Sequence, residues 1–144
     1  MKRIAFPFGT ITGFAVAALL SACMIFKRPP SEPKAYERTQ ASTAQLYTAT
    51  FSPAESIKVG KLHAWKINVA SANGAPIHSA KITVDGGMPQ HGHGLPTKPQ
   101  VTPQLAAGQY LVEGMKFNMG GWWVVKFRIA SATGSDSVVF NLKL

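Results

Sequence analysis

Apolar and polar residues alternate with a period of two in five short segments beyond residue 45. Successive side chains of a β-strand point to opposite faces, so this pattern predicts strands with one buried and one solvated face. Turn residues such as Asn73-Gly74 and Thr133-Gly134 separate the segments. About six or seven such strands predict two sheets packed face to face. We therefore predict an all-β fold, a small immunoglobulin-like antiparallel β-sandwich, over residues 45–144. The segments are residues 63–69, 80–84, 110–113, 123–129 and 138–143.

Tyr110 follows a glycine, Gly108, at the start of one predicted strand. A glycine turn before an inward-facing tyrosine is typical of a tyrosine corner, in which the phenol hydroxyl bonds to upstream backbone groups. We expect Tyr110 to tie its strand to an earlier part of the chain.

The N-terminus has the pattern of an export signal. Lys2 and Arg3 precede an uncharged, mostly apolar stretch over residues 4–26. Its sequence Leu20-Ser21-Ala22-Cys23 resembles the lipobox of bacterial lipoproteins. That resemblance implies a signal peptide over residues 1–22, lipidation of Cys23 and, with Met24 next, the outer membrane rather than the inner one. The alternative is an uncleaved anchor to about residue 26, because about 20 apolar residues span a bilayer.

Residues 23–44 carry three prolines, several charges and no apolar periodicity. This composition predicts a linker that holds the sandwich clear of a lipid surface. Either version of the N-terminus places the domain in the cell envelope, at the periplasmic face of the membrane. Cys23 is the single cysteine, so no internal disulfide can form.

The charge is +9, from 15 Lys plus Arg and 6 Asp plus Glu. The lysines are scattered over predicted outer faces without interleaved aromatic residues, which disfavours a nucleic-acid partner. The few carboxylates form no paired motif, and the chain has no nucleophile elbow, zinc-protease motif or phosphate loop. We therefore expect a binding module and not an enzyme.

Residues 86–99 are rich in glycine and proline, which predicts a loop bearing Met88, His91 and His93. In an extended loop His91 and His93 would point to the same side. If a later turn brings Met115 and Met119 beside them, imidazole and thioether ligands converge, a set that suits copper.

Each candidate also has a structural interpretation. The methionines can fill gaps at the end of the sandwich, and the loop histidines can cap backbone groups or face water. His63 shares the inward face of its strand and is more typical of a hydrogen-bonded strand-end histidine than of a ligand. His78 lies next to a turn and is expected to be solvated.

Trp122 and Trp123 are neighbours on one predicted strand and must point to opposite faces. Trp123 belongs with the inward residues, so Trp122 lies on the outer face. It is either an anchor for a protein partner or a residue covered by a neighbouring loop.

Five short segments together resemble the YtkA-like domain family, which is related to the FixH group. The likeness covers about the last 85 residues and is carried mainly by Met88-Pro89-Gln90-His91-Gly92-His93 and Met119-Gly120-Gly121-Trp122-Trp123. It implies a small exported or membrane-tethered β-sandwich, and FixH relatives are associated with the assembly of copper-containing oxidases. The other segments are residues 73–77, 80–84 and 108–110.

From these features we expect a copper-binding module in metal handling or cuproprotein assembly. The alternative is a structural or protein-interaction module of the cell envelope that binds no metal.

Overall fold

Nine β-strands make up the computed structural model, which describes residues 30–103 and 106–144. No helix among these residues is long and apolar enough to cross a bilayer. Residues 1–29, with the predicted signal or anchor segment and Cys23, lie outside the described residues. The strands are β1 (Thr39–Ala41), β2 (Tyr47–Pro53), β3 (Leu62–Ser71), β4 (Lys81–Met88), β5 (His93–Gly94), β6 (Gln100–Pro103), β7 (Gln109–Lys116), β8 (Trp122–Ser131) and β9 (Gly134–Lys143).

The strands form two sheets packed as a sandwich, which confirms the predicted all-β fold. One sheet has the order β1-β2-β3-β7-β6 and the other β5-β4-β8-β9. Every neighbouring pair is antiparallel. The chain passes between the sheets from β3 to β4, from β5 to β6 and from β7 to β8.

In the five predicted segments, the inward faces of the strands are those that the period-2 pattern predicts. Aromatic rings join the two sheets: Phe51 of β2 lies 4.9 Å from Trp65 of β3 and 4.8 Å from Phe140 of β9, between ring centroids. Aromatic pairs at this spacing add about 0.5–1.5 kcal/mol each beyond the burial of their area. The predicted inward residues that are fully buried include Trp65, Ile67, Val69, Tyr110, Val112, Trp123, Val125, Phe127, Ile129, Val138 and Phe140.

The predicted linker ends too late. We expected it to continue to residue 44, whereas β1 already pairs with β2, with Thr39 opposite Thr50. The next residues are also held, because the Thr43 N–H donates to the Ser137 carbonyl over 2.9 Å and the Ala44 N–H to the Asp136 carboxylate over 2.9 Å. The sandwich therefore begins at Thr39, with a strand too short to show a period.

Tyr110 ties β7 to the connection between β3 and β4, as expected. Its hydroxyl donates to the Ile77 carbonyl over 2.7 Å and accepts from the Ala80 N–H over 3.0 Å. Burial raises the pKa of the Tyr110 phenol, which keeps it a neutral donor. The partners lie 33 and 30 residues upstream, so the hydroxyl ties β7 to the segment that leads from one sheet into the other.

Replacing Tyr110 with phenylalanine is expected to destabilise the fold by about 1 kcal/mol or more, since a partly buried N–H and a partly buried carbonyl lose their partner. The measurement is the free energy of unfolding in urea. Tyr36→Phe is the matched control, because the Tyr36 hydroxyl bonds to Glu32, outside the sandwich. Equal stability of the two variants would contradict the role assigned to Tyr110.

Residues 86–99 form more regular structure than expected. Met88 ends β4, and His93 and Gly94 form β5, so the loop between these strands is only residues 89–92. Glycine is required because backbones approach closely here. A Cβ at Gly87 would lie 2.5 Å from the His93 carbonyl oxygen, and one at Gly86 would lie 2.7 Å from that of Val124. We predicted a loop from the glycines of this segment. The glycines instead allow its strands to pair closely with their neighbours.

Candidate metal site

The histidines and methionines of interest gather at one end of the sandwich. Met88 ends β4, and a Cβ at Gly121, in the turn from β7 to β8, would lie 2.9 Å from the Met88 Cε. The start of β3 is at the same end, since Leu62 pairs with Lys116 at the end of β7. We call this the His–Met end, formed by the hairpin of residues 88–93, the turn of residues 117–121 and the start of β3.

A tight turn, rather than an extended loop, brings the two loop histidines together. The N–H groups of His91 and Gly92 both donate to the Met88 carbonyl, over 3.1 and 3.0 Å. Gly92 has φ +66°, a conformation that glycine adopts without strain. The His91 and His93 rings are exposed, with centroids 6.3 Å apart and planes at 41°.

This spacing is compatible with one shared metal ion. Metal–imidazole bonds are about 2.0 Å long, so a bound metal lies about 3.2 Å from each ring centroid. Two rings 6.3 Å apart therefore stand at the separation of a nearly linear nitrogen–metal–nitrogen arrangement. Because both side chains are exposed, small χ rotations can reduce this angle.

The three methionines differ in their access to this position. Met88 is directly opposite His93 in the β4–β5 register, where Cβ atoms are about 4.5–5.5 Å apart. Met119 is half-buried in the neighbouring turn, whose backbone is held by the Trp123 indole N–H, 3.0 Å from the Met119 carbonyl. Met115 is fully buried in the core opposite His63. The register thus places Met88, itself only 2% exposed, opposite His93, whereas Met115 is buried opposite His63 on another strand pair. Met119 lies in a turn at the same end of the sandwich.

His63 is a structural histidine in this arrangement. It is 4% exposed, and its Nε2 lies 2.9 Å from the Lys58 carbonyl and 3.1 Å from the Lys58 N–H. Its Nδ1 is buried without a partner among the described residues. The tautomer decides whether Nε2 donates to the Lys58 carbonyl or accepts from the Lys58 N–H. With the proton on Nε2, the buried Nδ1 is left with an unsatisfied lone pair, which costs less than a buried orphan N–H.

Trp122 lies on the outer face, opposite in direction to Trp123, as expected. It is only 5% exposed, and its indole N–H donates to the Asn141 side-chain oxygen over 2.8 Å. In this conformation it offers almost no surface to a protein. Partner binding through Trp122 stays a prediction that would require its cover to move.

Among the described residues there is no group of three or more His, Cys, Asp or Glu side chains that could hold a metal ion. The candidate ligands at the His–Met end are instead two imidazoles together with thioethers. Asp85 is the nearest carboxylate on β4, and its Oδ1 accepts from the Gly86 N–H over 2.8 Å. The pairing of Met88 with His93 was missed from the sequence, although a short hairpin around Gly92 was a usable signal.

The fold and this end together define the class of protein as a small antiparallel β-sandwich that carries exposed histidines over packed methionines. A family model described as YtkA-like matches residues 41–128, more than half of the chain. The chain therefore belongs to the YtkA-like family. The match begins earlier than the last 85 residues that carry the resemblance in sequence, and it reaches back to β1.

The chain is also similar to a solved structure described as the ZirS C-terminal domain. The TM-score is 0.40 and the sequence identity 11%, over 100% of this chain and 86% of that one. No curated protein matches the chain.

The glycine pair in the β4–β5 hairpin gives a test of the site geometry. Gly87→Ala is expected to destabilise the protein by about 1–3 kcal/mol and to displace β5 with His93, because the new Cβ meets a backbone oxygen. Gly94 is its register partner, and a Cβ there would be no closer than 3.7 Å to another atom, so Gly94→Ala is the matched control. Urea unfolding and NMR shifts of His93 measure both effects. Equal tolerance at the two positions would contradict the described register.

Proposed function

We propose that this protein is an exported, lipid-anchored binding module that holds a copper ion at the His–Met end, in metal handling or cuproprotein assembly. The observation that carries the proposal is the 6.3 Å separation of the exposed His91 and His93 rings, with Met88 opposite His93 in the strand register. The N-terminal lipid and the periplasmic location come from the sequence of residues 1–29 and are part of the proposal.

The donor set favours copper among common metal ions. Neutral imidazole suits zinc and copper alike, whereas thioether sulfur is a soft ligand that selects Cu(I). Hard cations such as Mg²⁺ and Ca²⁺ require oxygen ligands, which the hairpin side chains do not supply apart from Gln90. Two exposed imidazoles with soft neighbours suit a site that acquires and releases its ion, as a carrier does.

The surroundings of the histidines also support binding rather than simple closure of the fold. Neither ring takes part in a described side-chain hydrogen bond, and both are exposed, so neither stabilises the hairpin as placed. The hairpin itself is held by backbone bonds and by the burial of Met88. The two imidazoles could therefore bind a metal without breaking a contact of the fold, whereas the buried Met88 side chain would have to rotate towards them.

Direct copper titration of the full chain in detergent tests the proposal. His91→Ala and His93→Ala are each expected to weaken Cu(I) binding by at least about tenfold, since even removing an outer-shell partner of a metal site costs 10–100-fold. His78→Ala is the matched control, because His78 is exposed at the opposite end of the sandwich, between β3 and β4.

The rival proposal, an envelope interaction module without metal, gives a different result. In that case the unsubstituted chain binds copper no better than the double variant His91→Ala/His93→Ala. A matching affinity would end the copper proposal and leave the interaction module, because loss of both imidazoles removes the site without touching the core.

The methionines can be separated by leucine substitution, which conserves volume and costs less than about 1.5 kcal/mol. Met88→Leu or Met119→Leu is expected to lower the affinity for Cu(I) more than that for Cu(II), because a thioether prefers the softer ion. Met115→Leu is the matched control, because Met115 is as buried as Met88 but lies opposite His63 in β3 and not opposite a loop histidine. If all three variants keep the affinities of the parent, the histidines bind the ion without thioethers.

A further inference from the structure

A short loop at the His–Met end exposes apolar side chains between lysines. Among the described residues the large hydrophobic side chains that remain exposed are Leu62 at 64%, Val59 at 45% and Val139 at 37%. Leu62 and Val59 lie in residues 58–62, the loop and first residue of β3, whose sequence is Lys-Val-Gly-Lys-Leu. We call this the 58–62 loop.

Hydrogen bonds hold the backbone of the 58–62 loop in place. Its apolar side chains therefore stay at the surface. The His63 ring contacts the backbone of Lys58 at 2.9 Å, and the Gly60 N–H donates to the Phe117 carbonyl over 2.7 Å. The Lys61 N–H closes a turn onto the Lys58 carbonyl over 3.3 Å. A soluble domain gains nothing from fixing Val59 and Leu62 in water, because exposed apolar area is unfavourable there.

The charges around the apolar pair are mainly positive. Lys58 and Lys61 flank Val59 and are exposed, and Lys116 is directly opposite Leu62 in the β3–β7 register. Glu55 is the carboxylate that precedes the loop. Apolar side chains that enter the acyl boundary, with lysines at headgroup level, are the pattern of a membrane-surface contact with anionic lipid.

With Cys23 lipidated, as the proposed function has it, the path of the chain brings the same end towards the membrane. The Lys143 ammonium lies 2.7 Å from the Glu32 carboxylate, and Lys143 pairs with Trp122 at the His–Met end. The chain therefore reaches the sandwich at this end. Cys23, where the sequence predicts lipidation, is seven residues before Pro30. Even fully extended, seven residues span at most about 25 Å.

We propose that the 58–62 loop docks on an anionic phospholipid surface, with Val59 and Leu62 inserted and Lys58, Lys61 and Lys116 at the headgroups. The His–Met end then faces the membrane. This placement does not depend on copper binding, because the hairpin of residues 88–93 belongs to the other sheet.

Quenching by brominated lipids tests the proposal on the full chain in vesicles that contain phosphatidylglycerol. Leu62→Trp is expected to be quenched more strongly than Val139→Trp, the matched control in the middle of β9. The native Trp65, Trp122 and Trp123 are buried in both variants, so they contribute equally. Equal quenching at the two positions would overturn lipid docking.

Reversing the charge of two loop lysines tests whether attraction to anionic lipid drives the docking. Lys58→Glu with Lys61→Glu, in the Leu62→Trp background, is expected to reduce the docked fraction, since each lysine near an anionic surface changes the docking equilibrium by a factor of about five. Salt of 1 M is expected to act likewise, because it shortens the screening length to about 3 Å. A different result would be that the fluorescence change of Leu62→Trp follows the amount of protein per vesicle and is the same on neutral and anionic lipid. The surface would then be a contact between copies of the chain, and lipid docking would be wrong.

The two proposals fail separately. His91→Ala is expected to leave the quenching of Leu62→Trp unchanged, and Lys58→Glu with Lys61→Glu to leave the copper titration unchanged. Loss of quenching in His91→Ala would show that the loop is positioned by the metal site and would overturn docking as an independent property.

Discussion

The contact of Phe51 with Trp65 and Phe140 is the interaction on which the rest of the sandwich depends. Cys23 cannot form an internal disulfide, so packing has to hold the sheets together. Phe51 belongs to one sheet and Phe140 to the other, and their rings meet edge to face. Aromatic packing continues from Trp65 to Phe117, and then across the sheets to Trp123, whose ring is 5.1 Å from that of Phe117.

This aromatic core also positions the His–Met end. Trp123 makes the last ring contact of this core, with Phe117. The Trp123 indole N–H donates to the Met119 carbonyl and so holds the turn that carries Met119. Met88 fills the space between that turn and β5, since its Cε lies over Gly121. The geometry of the histidines is therefore set by buried residues, while the imidazoles themselves remain free to bind. Methionine suits this role because its flexible side chain fills irregular space and presents a soft sulfur.

The period-2 pattern was sufficient to predict the sandwich and the inward faces of five of its strands, because a half-buried strand alternates apolar and polar residues. It did not single out β2 or β6. It could not predict β1, which has three residues, or the pairing inside residues 86–94, where glycine is required by a neighbouring backbone. Composition alone does not distinguish a glycine that bends the chain from one that lets another strand approach.

The candidate site was predicted only in part, because its geometry also depends on glycines and on strand register. His91 and His93 do lie together, but through a turn at Gly92 and not through an extended segment. Met115 falls inside because Gly114, with φ +83°, interrupts the alternation of β7, and register pairs Met115 with the buried His63. Whether a methionine side chain is buried or exposed depends on how its strand is paired with its neighbours, and local sequence does not determine that pairing.

The joint placement of the hairpin and the 58–62 loop has a consequence for metal exchange. A copper ion held by the exposed imidazoles, as we propose, would be given up to ligands that approach from the same side. With the loop docked, the hairpin would lie near headgroup level, where a partner with a membrane-embedded domain has direct access and a soluble partner has less. The two proposed activities would then lie on different sheets: β3 and β7 would contact the lipid, and β4 and β5 would hold the ion. Neither part needs the other to form, because the loop is fixed by His63 and Phe117 and the hairpin by Met88.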